Sequence, residues 1–126
     1  MKPPAFWPLL LIAVAPLAGC AQPRPAPLYA WGDFARLQYE ALEHRSMDRD
    51  VQIHTMSRQA DAAHASGAAL PPGFRAHLAF LELEAGQADA ALDGLQAERA
   101  AFPESAPFID PLILRIGAQR LKEHRQ

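Results

Sequence analysis

Apolar positions recur at helical spacing over most of the chain beyond residue 28, and the clearest run covers residues 71–105. There Phe74, Leu78, Leu81 and Ala85 form one row, and Ala88, Ala91, Leu92, Leu95 and Phe102 form a second. Gly86 lies between the rows, where the end of a helix favours a left-handed residue, and Pro103 stops the second row. The pattern predicts a helical hairpin. A hairpin of this kind cannot bury both of its apolar faces alone, so the flanking segments are expected to be helices packed on it.

Ahead of the hairpin, Asp33 stands as a candidate N-cap, with Gly32 permitting a sharp entry, for a helix running to about residue 44. Phe34, Leu37, Ala41 and Leu42, with Tyr39 beside them, would form its inner face. A longer helix is predicted over 47–67. Asp48 and Asp50 lie near its start, where carboxylates favour the helix dipole; Ile53, Met56, Ala60 and Ala63 form its apolar row, and Gly67 caps its end. Beyond Pro103, a helix running through Pro111 would lose a backbone hydrogen bond at a cost of about 3 kcal/mol. Asp110 as N-cap with Pro111 in the first helical position avoids that cost. The last helix is therefore expected to begin near Asp110, after a single turn around Ala106, and to pack through Leu112, Ile113, Ile116 and Leu121. The fold class expected is all-α.

The hairpin resembles one tetratricopeptide (TPR) repeat. Residues 72–105 make one 34-residue unit, the period of that repeat. In this register Leu78 and Ala79 take the large and small positions of the first helix, Gly86 the turn, Ala91 the helix crossing, Leu95 the next large position and Pro103 the terminal proline. Arg75 and Glu82 depart from the family, which often has aromatic residues there. The resemblance implies a TPR-like scaffold that holds another protein.

Proline divides the chain. Seven of the twelve prolines fall within the first 27 residues, which separates a leader and linker from a folded body. Lys2 supplies a short positive region, residues 6–14 an apolar one, and Leu17-Ala18-Gly19-Cys20 then matches the bacterial lipobox. Small residues let a signal peptidase close around the backbone, and the Cys20 thiol accepts diacylglycerol before cleavage between Gly19 and Cys20. The apolar run is too short to span a membrane, which takes about 20 residues. Cys20 is the only cysteine, so it has no intramolecular disulfide partner. The expected organisation is a signal peptide over 1–19, a lipidated Cys20 with a Pro-rich tether over 20–28, and a small helical TPR-like domain over 29–126. An extended tether holds that domain roughly 20–25 Å from the bilayer, at about 3.1 Å per residue. Ala21 rather than Asp after the cysteine points to the outer membrane, periplasmic side.

The formal net charge of −2 provides no basic excess for nucleic acid. The five histidines form no HxxxH or HExxH, and His54 and His64, ten residues apart on one helix, stand about 15 Å from each other, too far to share an ion. No carboxylates pair for acid–base chemistry, no serine sits in a nucleophile elbow, and the glycines are dispersed. No catalytic or metal residue is assigned, and the only cofactor expected is the covalent lipid on Cys20. The densest aromatic stretch of the domain, Tyr29, Trp31 and Phe34, has two readings. It is a docking strip for a partner, since aromatics dominate interface hot spots, or it folds back onto an alanine-rich core.

Taken together, the lipobox, Leu28-Tyr29-Ala30-Trp31-Gly32-Asp33-Phe34, Leu70-Pro71-Pro72-Gly73-Phe74-Arg75-Ala76-His77-Leu78 and Ala101-Phe102-Pro103-Glu104-Ser105 resemble a family of small bacterial periplasmic lipoproteins of unknown function. Members of that family are typically encoded beside a CsgG-like lipoprotein, similar to the curli secretion pore. The resemblance implies an accessory, non-catalytic role in an outer-membrane secretion or envelope complex. Binding of a small ligand or glycan through the same aromatics is the alternative.

Overall fold

The computed structural model describes residues 25–43, 48–123 and 125, and among these every regular element is helical. The signal peptide expected over 1–19, Cys20, the start of the expected tether, His44 and Met47 lie outside the described residues. Five α-helices follow one another: α1 Phe34–Leu42, α2 Arg49–Ala65, α3 Phe74–Glu84, α4 Ala88–Ala101 and α5 Ala106–Glu123. A 3-10 turn, Pro103–Ser105, precedes the last. The hairpin is α3 and α4, the most extensively packed pair; α2 lies against α3, and α5 against α4.

Gly86 adopts φ +77° and turns α3 into α4. Ala79 and Ala91 are fully buried between the two helices, so their backbones approach closely. A Cβ added at Gly94 of α4 would stand 3.5 Å from the Ala79 Cβ and from the Arg75 carbonyl. Both ends of α3 are closed by charges from other helices. At its start, Gly73 is the N-cap and has no side chain to offer. The buried Glu98 carboxylate of α4 accepts instead, from Gly73 N at 2.5 Å and Arg75 N at 3.2 Å. At its end, Arg49 of α2 donates from Nη1 to the Glu84 carbonyl at 2.9 Å. A negative group at the N-terminus and a positive one at the C-terminus both complement the helix dipole.

The core has two parts. Phe34, Leu37, Met56, Ala63, Leu70 and Phe74 join α1, α2 and the start of α3. Ala76, Ala79, Ala91, Leu95, Ile109 and Ile116 join α3, α4 and α5. Helix α5 runs antiparallel to α4. Arg99 near the end of α4 pairs with Asp110 near the start of α5 at 2.5 Å, and Asp89 at the opposite end pairs with Arg120.

Four sequence expectations are corrected. Helix α5 begins at Ala106, not Asp110, and carries Pro111 in its interior. A continuous helix puts Ile109 on the same side as Leu112, Ile113 and Ile116, and full burial of one such side chain contributes about 1.5–3 kcal/mol, comparable with the proline's cost. Pro107 and Pro111 are both exposed, so water reaches the carbonyl that Pro111 cannot serve. Second, Asp33 occupies the N-cap position of α1, but its side chain makes no cap bond. Its backbone, at φ −89° and ψ 1°, lies outside the extended region from which a cap side chain reaches the helix, and its carboxylate pairs with Arg36 at 3.4 Å. Third, of the inner face expected for α1, only Phe34 and Leu37 are buried. Leu42 is 81% exposed, and exposed Tyr39 donates to Glu43 at 2.6 Å. Helix α1 ends at Leu42, and among the described residues nothing covers that side chain. In the same way Leu121, expected to pack, is exposed, because α5 outruns α4 and turns that position to the outer side.

Candidate interaction surface

The aromatic stretch ahead of α1 divides by depth. Phe34 is 1% exposed and belongs to the core, its ring 5.0 Å from that of Phe74 and 6.0 Å from the His77 imidazole. It is therefore not available to a partner, which corrects its place in the docking strip. Tyr29 is half-buried, its ring edge-on to Phe102 at 6.1 Å. Trp31 is 48% exposed. Its indole stacks on Phe34 at 6.5 Å and 23° and meets Tyr29 edge-on at 6.4 Å. Leu28, one step ahead of this group, is exposed as well.

The backbone beneath Trp31 is fixed from α2. The Gln59 amide donates to the carbonyls of Ala30 at 3.2 Å and Trp31 at 2.8 Å, and Ala30 N donates to the Ala69 carbonyl at 2.8 Å. Gly32 takes φ +45°, and any Cβ there would fall 2.5 Å from the Gln59 amide carbon. The dihedral favours glycine, and a side chain there would push the Gln59 amide away from the carbonyls it serves. A shallow groove of about 500 Å³ starts at Gly32 and is lined by Asp33, Thr55, Arg58, Gln59 and Ala62. A second exposed aromatic contact joins the hairpin to the last helix: Phe80 of α3 and Phe108 of α5, with rings 6.5 Å apart.

Titratable groups are dispersed. His54 and His64 are exposed on α2, and among the described residues no three of His, Cys, Asp and Glu converge on one point. His77 is half-buried, and burial lowers its pKa below the ordinary value, with the nearby Glu84 acting in the opposite sense. Its Nε2 stands 3.4 Å from the Gln52 amide nitrogen. Glu82 is pushed above the usual carboxylate range by burial and by Asp93.

Sequence reasoning missed Gln52, Gln59, Glu98 and Arg49. Two of them left a signal. Gln52 is four residues before Met56, and Glu98 three after Leu95, so each is a polar residue on an otherwise apolar row. A polar residue in such a position asks for a partner to satisfy it. Gln59 and Arg49 act across 28 and 35 residues of chain and carry no local mark.

Among the described residues, no helix is long and apolar enough to cross a membrane. The family profile described as a domain of unknown function (DUF4810) matches residues 28–112, from the residue ahead of the aromatic strip into α5. No curated protein and no solved structure shows significant similarity to the chain.

Proposed function

We propose a function from one premise: the chain belongs to the DUF4810 family, a domain of unknown function. It acts as a lipid-anchored, non-catalytic adaptor on the periplasmic side of the bacterial outer membrane, an accessory subunit of a secretion or envelope complex such as one built on a CsgG-like lipoprotein. Cys20 carries the lipid, and the tether over 20–28 presents the helical domain. The observation that carries the reading is Trp31. It offers a large, half-exposed aromatic surface whose backbone is held by Gln59 and whose ring is supported by Phe34 and Tyr29. An aromatic side chain already fixed in place loses little entropy on binding, which is the character of an interface hot spot. A groove that begins at Gly32, one residue on, favours a second reading, a small ligand or glycan, because Asp33, Thr55, Arg58 and Gln59 line it with hydrogen-bonding groups.

Crosslinking in intact cells, purification of the tagged protein from the membrane fraction and mass spectrometry test both parts. The adaptor reading expects a recurrent envelope protein that is lost in Trp31→Ala while the helical content stays unchanged. The anchor expects Cys20→Ala to leave the membrane fraction or remain unprocessed. Recovery of the protein alone would overturn the adaptor and turn the search to glycans. Normal anchoring of Cys20→Ala would overturn the lipid.

A further inference from the structure

Helix α5 is apolar on two opposite sides. Its inner side, Ile109, Leu112, Ile113 and Ile116, packs on the hairpin. Its outer side carries Pro107, Pro111, Leu114, Ala118 and Leu121, all exposed, with Leu114 at 74% and Leu121 at 63%. These positions are spaced four, three, four and three residues apart, the alternation of a heptad seam, and run about 21 Å along the helix. The other outer helix behaves differently. The outward row of α2 is Asp50, His54, Arg58 and Asp61, all exposed and polar, as the solvent side of an end helix in a stacked array normally is.

We infer that the outer side of α5 is a self-association surface, on which a second copy of this chain lays its own α5 in parallel. The edges of the stripe identify the occupant. Asp110 borders it on one side, and Arg115 and Lys122 border it on the other. In a parallel pair related by a two-fold axis, Asp110 of each copy meets Arg115 of the other, five residues on, so the charges complement each other twice. An antiparallel pair would bring Arg115 against the second copy's Lys122, and the two would repel. Asp110 already accepts from Arg99 of its own chain at 2.5 Å, and a carboxylate has capacity for a second cation. Ala118 between two leucines lets the two backbones close in. The Pro107 carbonyl has lost its usual helical donor to Pro111 and stays in water, so the contact centres on Leu114, Ala118 and Leu121 and opens toward the start of the helix. The inference goes beyond the adaptor reading and does not rest on it.

The sole native cysteine is Cys20, which makes a thiol scan direct. Full-length protein carrying Leu114→Cys, Leu121→Cys or, as a control on α2, Asp61→Cys is oxidised mildly in membranes and run without reductant beside the unaltered chain. A disulfide forms only where two Cβ atoms come close. The parallel pair expects disulfide-linked dimers from Leu114→Cys and from Leu121→Cys, several-fold above both the control and the unaltered chain. Adding Arg115→Asp to Leu114→Cys sets acid against acid and should cut its yield several-fold, whereas Arg115→Lys preserves it. Dimers from only one of the two leucine positions would overturn the parallel arrangement. No dimer above the control, or a crosslink to a different protein, would overturn self-association altogether.

Discussion

In the N-terminal part of the core, Phe34, Phe74, Met56 and Leu37 fill the space between α1, α2 and the start of α3. In the C-terminal part, Ala76, Ala79 and Ala91 remove side chain from that space, and α3, α4 and α5 close in until Leu95, Ile109 and Ile116 suffice to fill it. Both parts are fully buried, yet they respond to opposite injuries. A core built on large side chains is damaged by deletion, and one built on close approach is damaged by insertion. Phe34→Ala tests the first. It removes a ring that touches Phe74 and His77 and supports Trp31, and it should destabilise the domain by about 3–5 kcal/mol in urea unfolding. Ala91→Leu tests the second. It forces added volume between α4 and its neighbours, and a loss of about 1–3 kcal/mol is expected by the same measurement. If Ala91→Leu were neutral, the C-terminal part would contain slack, and the contrast between the two would fail.

The same contrast explains how much of the molecule could be read from the chain. The hairpin was legible because its cues are local: Gly86 at a helix end, Ala79 and Ala91 at small positions in periodic rows, and Pro103 as a stop. The start of α5 was not. Its helix crosses Pro111 because burial of Ile109 on the hairpin offsets a local cost, and that gain depends on a neighbour the local sequence does not reveal. Leu42 misled for the opposite reason, since its periodic position promised a packing partner that none of the described residues supplies. The support of Trp31 was equally hidden. Its exposure fits the strip read from the sequence, but Gln59, which fixes its backbone, comes from the middle of the following helix. Closure of α3 by Glu98 and Arg49 is likewise tertiary, although a glutamate on an apolar row was a visible anomaly.

The smallest expected effect lies on the boundary of the N-terminal part, at His77. Burial holds its folded pKa below the ordinary value of 6.5, so the unfolded chain binds a proton more readily than the folded one. The contribution of neutral His77 is therefore complete above about 6.5 and is lost as the pH falls from there toward the lowered folded value. Geometry acts in the same direction. The Gln52 amide nitrogen can only donate, so its contact at 3.4 Å requires an unprotonated Nε2 on His77. Glu82 has the opposite sign. Its raised pKa favours the folded state in acid, and that contribution is lost as the pH rises from 4.5 through the folded value. The two act with opposite sign as the pH falls, so the histidine's part just below 6.5 is read as the difference between the wild type and His77→Gln. Thermal unfolding there should show a midpoint that falls with pH in the wild type and falls less steeply in His77→Gln. Equal slopes would mean that His77 is as well solvated folded as unfolded, and that the boundary beside Phe34 is open to water.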